Sequence, residues 1–403
     1  MPTVPSNDQI IELAESLLSH RFGGSQQLFD VEDLGGTGNS VVLRARVATT
    51  PFLQQRSVVL KYSPATGDLL DDAAIVREVA AYQFTNTLPE DVRPGPMLLA
   101  HDIDERILVL SDSGDGDTLA DLLVQPDPEL RQHILRNLGT ALGKMHSSTA
   151  NQEANFNVLL TRMLRQHPTA EPTKDIRDRA LIPAIGLGLS LVENSRIVVP
   201  AEVKDLAETA QRRLNASRTR GFTPFDLSPD NIIVAERTQF LDYEWAGFRD
   251  VYFDLACVIA GFPQFLSTRP INDDEVAVFL DAWVHAVRDV WPNVTQEEHL
   301  HSRIVTALVG WGLSSVAMMH FGSPNAAVEA LAWSDPAVDH VVGSDLLKSS
   351  HDHVFSSDEK LVRQDLYETF ESFARFAGGG RAASSPVIAQ FATEVAGRLK
   401  DAG

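Results

Sequence analysis

Three oxygen-bearing side chains in one short stretch are the strongest sign of chemistry in this chain. Asp226 and Asn231 lie five positions apart in the run FDLSPDNIIV, and Asp242 follows in FLDYE. A carboxylate can accept a proton from a hydroxyl group, and an amide oxygen with a second carboxylate can share a hard cation. The alternative is that all three are ordinary turn residues, because Asp and Asn are common in loops.

A short β-hairpin is predicted to bring two of these side chains together. The strand-compatible runs IIV and QFL flank AERT, which suits a turn. If Val234 pairs with Gln239, Asn231 lies opposite Asp242, with their backbones about 4.5–5.5 Å apart. An amide and a carboxylate at that separation can bind one Mg²⁺, which keeps waters and takes phosphate oxygens as its other ligands.

A lysine and a glutamate in the first part of the chain are predicted to face inward. Lys61 ends the apolar run SVVL, and Glu78 shares a helix face with Ile75 and Tyr82. Burying two opposite charges is costly unless they pair. We therefore expect a Lys61–Glu78 ion pair. The alternative is that the ammonium group of Lys61 reaches solvent and that Glu78 lies at the edge of the buried surface.

These residues resemble the catalytic sequence of the aminoglycoside phosphotransferase and choline kinase-like superfamily, which shares the protein-kinase fold. The family pattern is similar to His-Gly-Asp-x-x-x-x-Asn, an apolar strand, Ile/Leu-Asp-Trp/Phe-Glu and then Asp-Leu-Ala. This chain has Asp226, Asn231, LDYE and a DLA run whose first residue, Asp254, would anchor the catalytic loop. It departs from the pattern at Pro224 and Phe225, which occupy the His and Gly positions.

The resemblance implies a role for each matching residue. Asp226 would be the catalytic base, and Asn231 and Asp242 would be the Mg²⁺ ligands. Lys61, oriented by Glu78, would contact the α- and β-phosphates of ATP.

Two further segments are similar to the nucleotide-binding parts of the family. The loop LGGTGNSV resembles a Gly-Gly-x-x-Asn loop, whose backbone N–H groups can approach phosphates. Its members Gly36, Thr37, Gly38 and Asn39 would then bind the nucleotide. The backbone of the run that ends at Ser111 would contact the adenine.

Hydrophobic periodicity predicts a strand-rich first part and a mainly helical remainder. Helical spacing is seen at 8–20 and 73–84, whereas 41–47 and 57–62 are typical of strands. His146, near the end of a later helix, is predicted to cap it. We expect an α+β, two-lobed protein-kinase-like fold with a small antiparallel-sheet N-lobe. The predicted parts are a nucleotide-binding lobe at 1–110, a hinge at 111–118, and a helical lobe at 119–403.

Composition excludes several classes of protein and partner. With 44% hydrophobic and 22% charged residues, the chain of 403 residues is typical of globular proteins. Its formal net charge of −21 repels nucleic-acid phosphates and anionic membranes, so we expect neither as a partner. The charge leaves open whether the acceptor is cationic. Cys257, the sole cysteine, excludes an internal disulfide and indicates a reducing compartment.

No targeting or membrane segment is predicted. The N-terminus lacks the basic start and apolar core of a secretion signal, and no window approaches the roughly 18 apolar residues that span a bilayer. We therefore expect a cytoplasmic protein.

Together these features predict an ATP-dependent small-molecule kinase that uses Mg²⁺. The acceptor would be a hydroxyl group of an amino sugar, an aminoglycoside or an amino-alcohol-like compound. The alternative is a nucleotide-binding pseudokinase or regulatory module on the same fold, which Pro224 and Phe225 favour. Acidic side chains that could hold a cationic acceptor are plentiful, for example Asp273 and Glu275, and the sequence selects none of them. It does not determine the oligomeric state.

Overall fold

The structure is a computed structural model that describes residues 4–35, 40–262, 269–322, 324–333, 343–349 and 353–400. Within these ranges the strands are β1 (Leu28–Asp33), β2 (Val41–Val47), β3 (Ser57–Tyr62), β4 (Leu98–Asp102), β5 (Ile107–Ser111), β6 (Asp117–Thr118), β7 (Arg220–Thr223), β8 (Ile232–Val234), β9 (Thr238–Phe240) and β10 (Gly247–Asp250). The helices are α1 (Asn7–Phe22), α2 (Leu69–Thr85), α3 (Leu119–Leu123), α4 (Pro128–Thr149), α5 (Glu153–Gln166), α6 (Ile176–Asn194), α7 (Ala201–Ala216), α8 (Tyr252–Ile259), α9 (Asp273–Val287), α10 (Glu297–His320), α11 (Pro324–Trp333), α12 (Ser357–Gly378) and α13 (Ser385–Leu399).

An antiparallel sheet of five strands, in the order β1-β2-β3-β5-β4, forms the first part of the chain. Alternation along β2 explains its orientation, because Leu43, Ala45 and Val47 are buried while Arg44 and Arg46 lie on the other face. The buried face packs against three apolar residues of α1. A capping box between Ser6 and Gln9 begins that helix. The predicted α+β class with a small antiparallel sheet is confirmed.

The second long helix of this part, α2, packs against the opposite side of the sheet. Its apolar residues, including Val79, join Leu108 and Leu110 of β5 in the larger of the hydrophobic clusters. The side chain of Asp68 begins the helix by accepting hydrogen bonds from the backbone N–H groups of Leu70 and Asp71. This packing fixes the position of the helix that carries Glu78.

The remainder of the described chain is mainly helical, as predicted, and α10 runs through its centre. The expectation that no segment could span a membrane is wrong on length and composition alone, because α10 is long and apolar enough. However, 78% of its most apolar window is buried inside the protein. Contacts with α6, α7, α8 and α12 surround it, so its apolar composition is that of a core helix.

A pair of helices, α4 and α9, packs closely together, and α4 also contacts β7. The approach requires small residues, since a Cβ atom at Gly139 would overlap the carbonyl oxygen of Phe279.

Strands interrupt the helices in two places: β7 pairs with β10, and β6 pairs with β8, which pairs with β9. The sequence predicted the β8–β9 hairpin but not β4, β6, β7 or β10. The division into parts at 111–118 stays a prediction.

Candidate active site

Lys61 lies at the centre of a three-residue ion cluster. Its ammonium nitrogen Nζ is 2.7 Å from Oε1 of Glu78 and 3.1 Å from Oδ1 of Asp242. Strand β3 supplies the lysine, α2 supplies the glutamate, and the segment after β9 supplies the aspartate. The predicted Lys61–Glu78 ion pair is therefore confirmed, and Lys61 links it to a residue 181 positions further along the chain.

The cluster holds two carboxylates for one ammonium group. Burial disfavours the charged form of Lys61, but the charges of Asp242 and Glu78 outweigh it and raise the pKa of Lys61 above its ordinary range. Burial and the negative charge of Asp242 together outweigh Lys61 at the other partner, and they raise the pKa of Glu78. The negative charge of Asp242 thus contributes to both pKa shifts, whereas burial opposes the shift of Lys61 and is the largest cause of the shift of Glu78.

Aromatic packing positions the segment that carries Asp242. Tyr243 is buried, and its ring lies 4.6 Å from the ring of Tyr82, which is one helical turn after Glu78 in α2. Asp242 itself has φ +56°, a left-handed conformation that ends the regular strand. The helix that orients Lys61 therefore also holds the segment that carries Asp242.

The predicted register of the β8–β9 hairpin is wrong by one residue. Val234 pairs with Thr238 and not with Gln239, so Asn231 lies opposite Leu241 and not opposite Asp242. The reason is the turn, which has three residues closed by a hydrogen bond from the Ala235 N–H to the Arg237 carbonyl (3.3 Å), whereas four were expected.

The corrected register still leaves Asn231 and Asp242 as near neighbours. The backbone N–H of Leu241 donates to the carbonyl of Asn231 at 2.8 Å, and Asp242 is the next residue. In a regular strand a shift of one residue would turn Asp242 to the other face. Its left-handed backbone breaks the strand there, and the carboxylate points to Lys61 instead.

Buried hydrogen bonds hold the loop that carries the predicted base. Asp254 accepts from the hydroxyl of Thr223 at 2.7 Å, and that hydroxyl accepts from the N–H of Phe225 at 2.9 Å. Asp254 also lies 2.9 Å from Nε2 of His146, whose Nδ1 accepts from the indole N–H of Trp283 at 3.0 Å. The prediction that His146 caps its helix is wrong: it is buried and binds the anchor Asp254 through a protonated Nε2.

The predicted base, Asp226, remains exposed at the end of this loop. The backbone N–H of Ser228 donates to its Oδ1 at 2.9 Å, which orients the carboxylate. Surrounding protein atoms desolvate the carboxyl group; this and the charge of Asp242 outweigh the Ser228 hydrogen bond and raise the pKa of Asp226. A raised pKa makes this carboxylate a better proton acceptor than an ordinary aspartate.

The remaining residues predicted to contact the nucleotide are those of the glycine loop and Ser111. Gly36, Thr37, Gly38 and Asn39 lie outside the described residues. The N–H of Ser111 donates to the Met97 carbonyl at 2.8 Å, and its hydroxyl accepts from the Met97 N–H at 2.8 Å. Both groups thus bond to Met97, the residue before β4. The contact of Ser111 with an adenine stays a prediction.

The structure also shows an aromatic cavity that the sequence did not predict. It has a volume of about 100 Å³ and lies beside Asp226, with Phe225, Trp245, Phe262 and Trp311 in its wall. The one available signal was Phe225, a bulky residue at the family's glycine position.

The site residues fit a divalent cation with phosphate ligands. No group of three His, Cys, Asp or Glu side chains that could hold a metal is found among the described residues, so the protein alone would not complete a metal shell. Asp242 and the amide of Asn231 would provide two oxygens, and Mg²⁺ commonly takes the rest from phosphates and water. Oδ1 of Asp242 is buried and, apart from its ion pair with Lys61, has no hydrogen bond within the described chain.

Two acidic residues considered for a cationic acceptor are engaged elsewhere. Glu275 is buried and pairs with Arg131 at 2.6 Å, and Asp273 pairs with Arg375. Both contacts join helices, so these carboxylates serve the fold.

The comparisons with known proteins agree with the family suggested by the catalytic residues. No curated protein matches the chain in sequence. Structural similarity is found to a choline/ethanolamine kinase family protein from Mesorhizobium loti, with 13% identity over 96% of this chain and 99% of that chain and a TM-score of 0.45. Choline kinase LicA from Streptococcus pneumoniae shows 14% identity over 91% and 99%, with a TM-score of 0.45.

A macrolide 2'-phosphotransferase, MphH from Brachybacterium faecium, shows 17% identity over 81% of this chain and 99% of that chain, with a TM-score of 0.41. The model of the phosphotransferase enzyme family (APH) matches residues 34–294, well over half of the sequence, and this range contains every predicted site residue. The chain therefore belongs to the APH phosphotransferase enzyme family.

Proposed function

We propose that this phosphotransferase is an ATP-dependent small-molecule kinase. The acceptor would be a hydroxyl group of an amino sugar, an aminoglycoside or an amino-alcohol-like compound. The observation that carries the proposal is the position of Lys61, which bridges Glu78 and Asp242 at 2.7 and 3.1 Å. Phosphoryl transfer requires positioned groups and charge neutralisation more than covalent chemistry, and this arrangement supplies both.

Each site residue has one task in this proposal. Lys61, held by Glu78, binds the α- and β-phosphates of ATP. Asn231 and Asp242 hold Mg²⁺, which neutralises phosphate charge when bound. Asp226 accepts the proton of the acceptor hydroxyl. As the hydroxyl oxygen bonds to the γ-phosphorus, the bond from that phosphorus to the bridging oxygen breaks, and ADP leaves with the electron pair.

The rival proposal is a pseudokinase that binds nucleotide without turnover. Pro224 and Phe225 favour it, because they replace the family's His and Gly. The hydrogen bonds from Thr223 to Asp254 and from the Phe225 N–H to Thr223 nevertheless hold the loop, and neither requires a side chain at position 224 or 225. This supports the active enzyme over the rival.

The test is Asp226→Asn, assayed as ADP release with Mg²⁺-ATP and a panel of amino sugars, aminoglycosides and amino alcohols. Loss of a positioned base should lower turnover by about 10²–10⁴-fold while nucleotide binding is retained. Asp230→Asn is the matched control, since it removes a carboxylate from the same loop and should leave turnover unchanged. A fully active Asp226→Asn protein would contradict the assignment. Nucleotide binding with no turnover across the panel would favour the pseudokinase.

A further inference from the structure

The aromatic cavity beside Asp226 contains two strained phenylalanines. Phe225 has φ +66° and Phe262 has φ +57°, and both line the cavity. A bulky side chain in the left-handed region costs energy, and such strain persists where the surrounding structure requires it. Of the residues other than glycine with positive φ in the described ranges, these two are the aromatic ones. Two residues with strained backbones therefore contribute their rings to the wall of this cavity.

Charge is scarce in this wall. Asp226 is the one charged residue that lines the cavity within the described part of the chain. A cation already occupies one face of Phe225: the guanidinium carbon of Arg249 lies 4.5 Å from the ring centre, and Arg249 pairs with Asp178 at 2.7 Å. An acceptor with several ammonium groups would therefore find one carboxylate, that of Asp226, among the described residues that line this cavity.

Size and polarity define the group that fits. A cavity of about 100 Å³ suits one six-membered ring or branched alkyl group. Trp245, Trp311 and Met318 offer further apolar surface.

We propose that the aromatic cavity binds the acceptor through an apolar, uncharged group next to the hydroxyl that is phosphorylated, with any ammonium group held outside the cavity. This inference rests on the proposed kinase function and narrows its acceptor to a compact alcohol with an apolar ring. Phe225 is then a residue that determines specificity. The reaction is unchanged: the hydroxyl gives its proton to Asp226, and the products are ADP and a phosphate monoester.

The experiment compares 2-amino-1-phenylethanol with ethanolamine as acceptors, in the presence of Mg²⁺-ATP. The two differ by the ring beside the hydroxyl, so burial of that ring should raise kcat/KM by about tenfold or more. Phe225→Gly removes one wall and relieves the left-handed backbone, and should reduce this preference to less than about threefold. Phe52→Ala, a change at an exposed phenylalanine between β2 and β3, is the control and should keep the preference.

Equal kcat/KM for the two acceptors, or a preference that survives Phe225→Gly, would overturn the cavity proposal. A higher kcat/KM for kanamycin, which carries several ammonium groups, would do the same. Calorimetric titration with 2-amino-1-phenylethanol separates this failure from that of the kinase proposal. If no acceptor is turned over, binding that is lost in Phe225→Gly supports the cavity and contradicts the kinase. Absence of binding overturns the cavity proposal itself.

Discussion

Two buried ion clusters in this chain are built in opposite ways. Arg131 of α4 donates to both carboxylate oxygens of Glu275 at 2.6 and 3.1 Å, and both side chains are buried. Lys61 instead faces two carboxylates, Glu78 and Asp242, and the Asp242 side chain remains 30% exposed. The first cluster pairs one guanidinium with one carboxylate and is closed, whereas the second places two carboxyl groups beside one ammonium group and is open on one side.

The difference distinguishes a structural ion pair from a binding site. A balanced, bidentate pair satisfies itself and needs no ligand. Two carboxylates near one ammonium repel each other in a space with little water, so such an arrangement is costly until a cation neutralises it. Perturbed groups of this kind are concentrated at functional sites. Removing a charged partner should therefore lower stability at the Arg131–Glu275 pair and lower turnover at the Lys61 cluster.

The largest expected effect is on stability, at the balanced pair. Arg131→Met leaves Glu275 buried without its guanidinium partner, which should lower the free energy of unfolding by about 3–5 kcal/mol. Urea denaturation measures it. Arg212→Met is the control, because Arg212 and Glu208 form an exposed pair and the loss there should stay below about 0.5 kcal/mol.

The same variant has a pH signature. Burial alone would raise the pKa of Glu275, but hydrogen bonds from Arg131 and the Asn272 backbone hold it below its ordinary value. A depressed pKa stabilises the fold above the pKa of the unfolded chain, and that contribution is lost as the pH falls through the folded value. The difference in the free energy of unfolding between wild type and Arg131→Met should therefore become smaller at acid pH. A gap that widens below pH 4 would contradict this account.

The next effect is on turnover, at the unbalanced cluster. Asp242→Asn removes the excess charge and leaves the Lys61–Glu78 pair intact, so the free energy of unfolding should change by less than about 1 kcal/mol. Turnover should fall by about a hundredfold or more, since Asp242 is proposed to hold the Mg²⁺ that neutralises phosphate charge. Denaturation and ADP release measured on one preparation test both. Destabilisation as large as that of Arg131→Met would remove the distinction between the clusters.

The smallest effect concerns the pH profile of Asp226. Ser228 has φ −49° and ψ 129°, which proline can adopt, so Ser228→Pro removes the N–H that donates to the carboxylate and keeps the φ of residue 228. Without that donor the pKa of Asp226 should rise further. Because the proposed base would act when deprotonated, the acid limb of the kcat/KM pH profile should move to higher pH, by roughly half to one pH unit.

Ser228→Ala keeps the backbone N–H and should leave the limb in place. A limb that moves equally in both variants would show that the hydroxyl, and not the N–H, controls Asp226.

Much of the fold and part of the site could be predicted because they depend on local patterns. Alternation along β2 and β3 and helical spacing in α2 determined which faces are buried. Once Lys61 and Glu78 both faced inward, their pairing followed from the cost of an isolated buried charge. Strands β7 and β10 escaped prediction because each has four residues, includes glycine and is buried along most of its length, so neither shows an alternating pattern.

The rest depended on contacts that no local pattern encodes. One residue in the length of a turn shifted the hairpin register, and a left-handed backbone at Asp242 turned its carboxylate to Lys61 all the same. His146 became the partner of Asp254 because α4 and α9 pack closely enough for Trp283 to reach it. The amino-acid sequence by itself thus determined the chemical types available, Asp226, Lys61 and the carboxylates, whereas only the tertiary structure decided the excess charge around Lys61 and the aromatic wall beside Asp226. The reason is physical: periodicity and burial act within a few residues, while charge balance and cavity shape are set by groups brought together from distant parts of the chain.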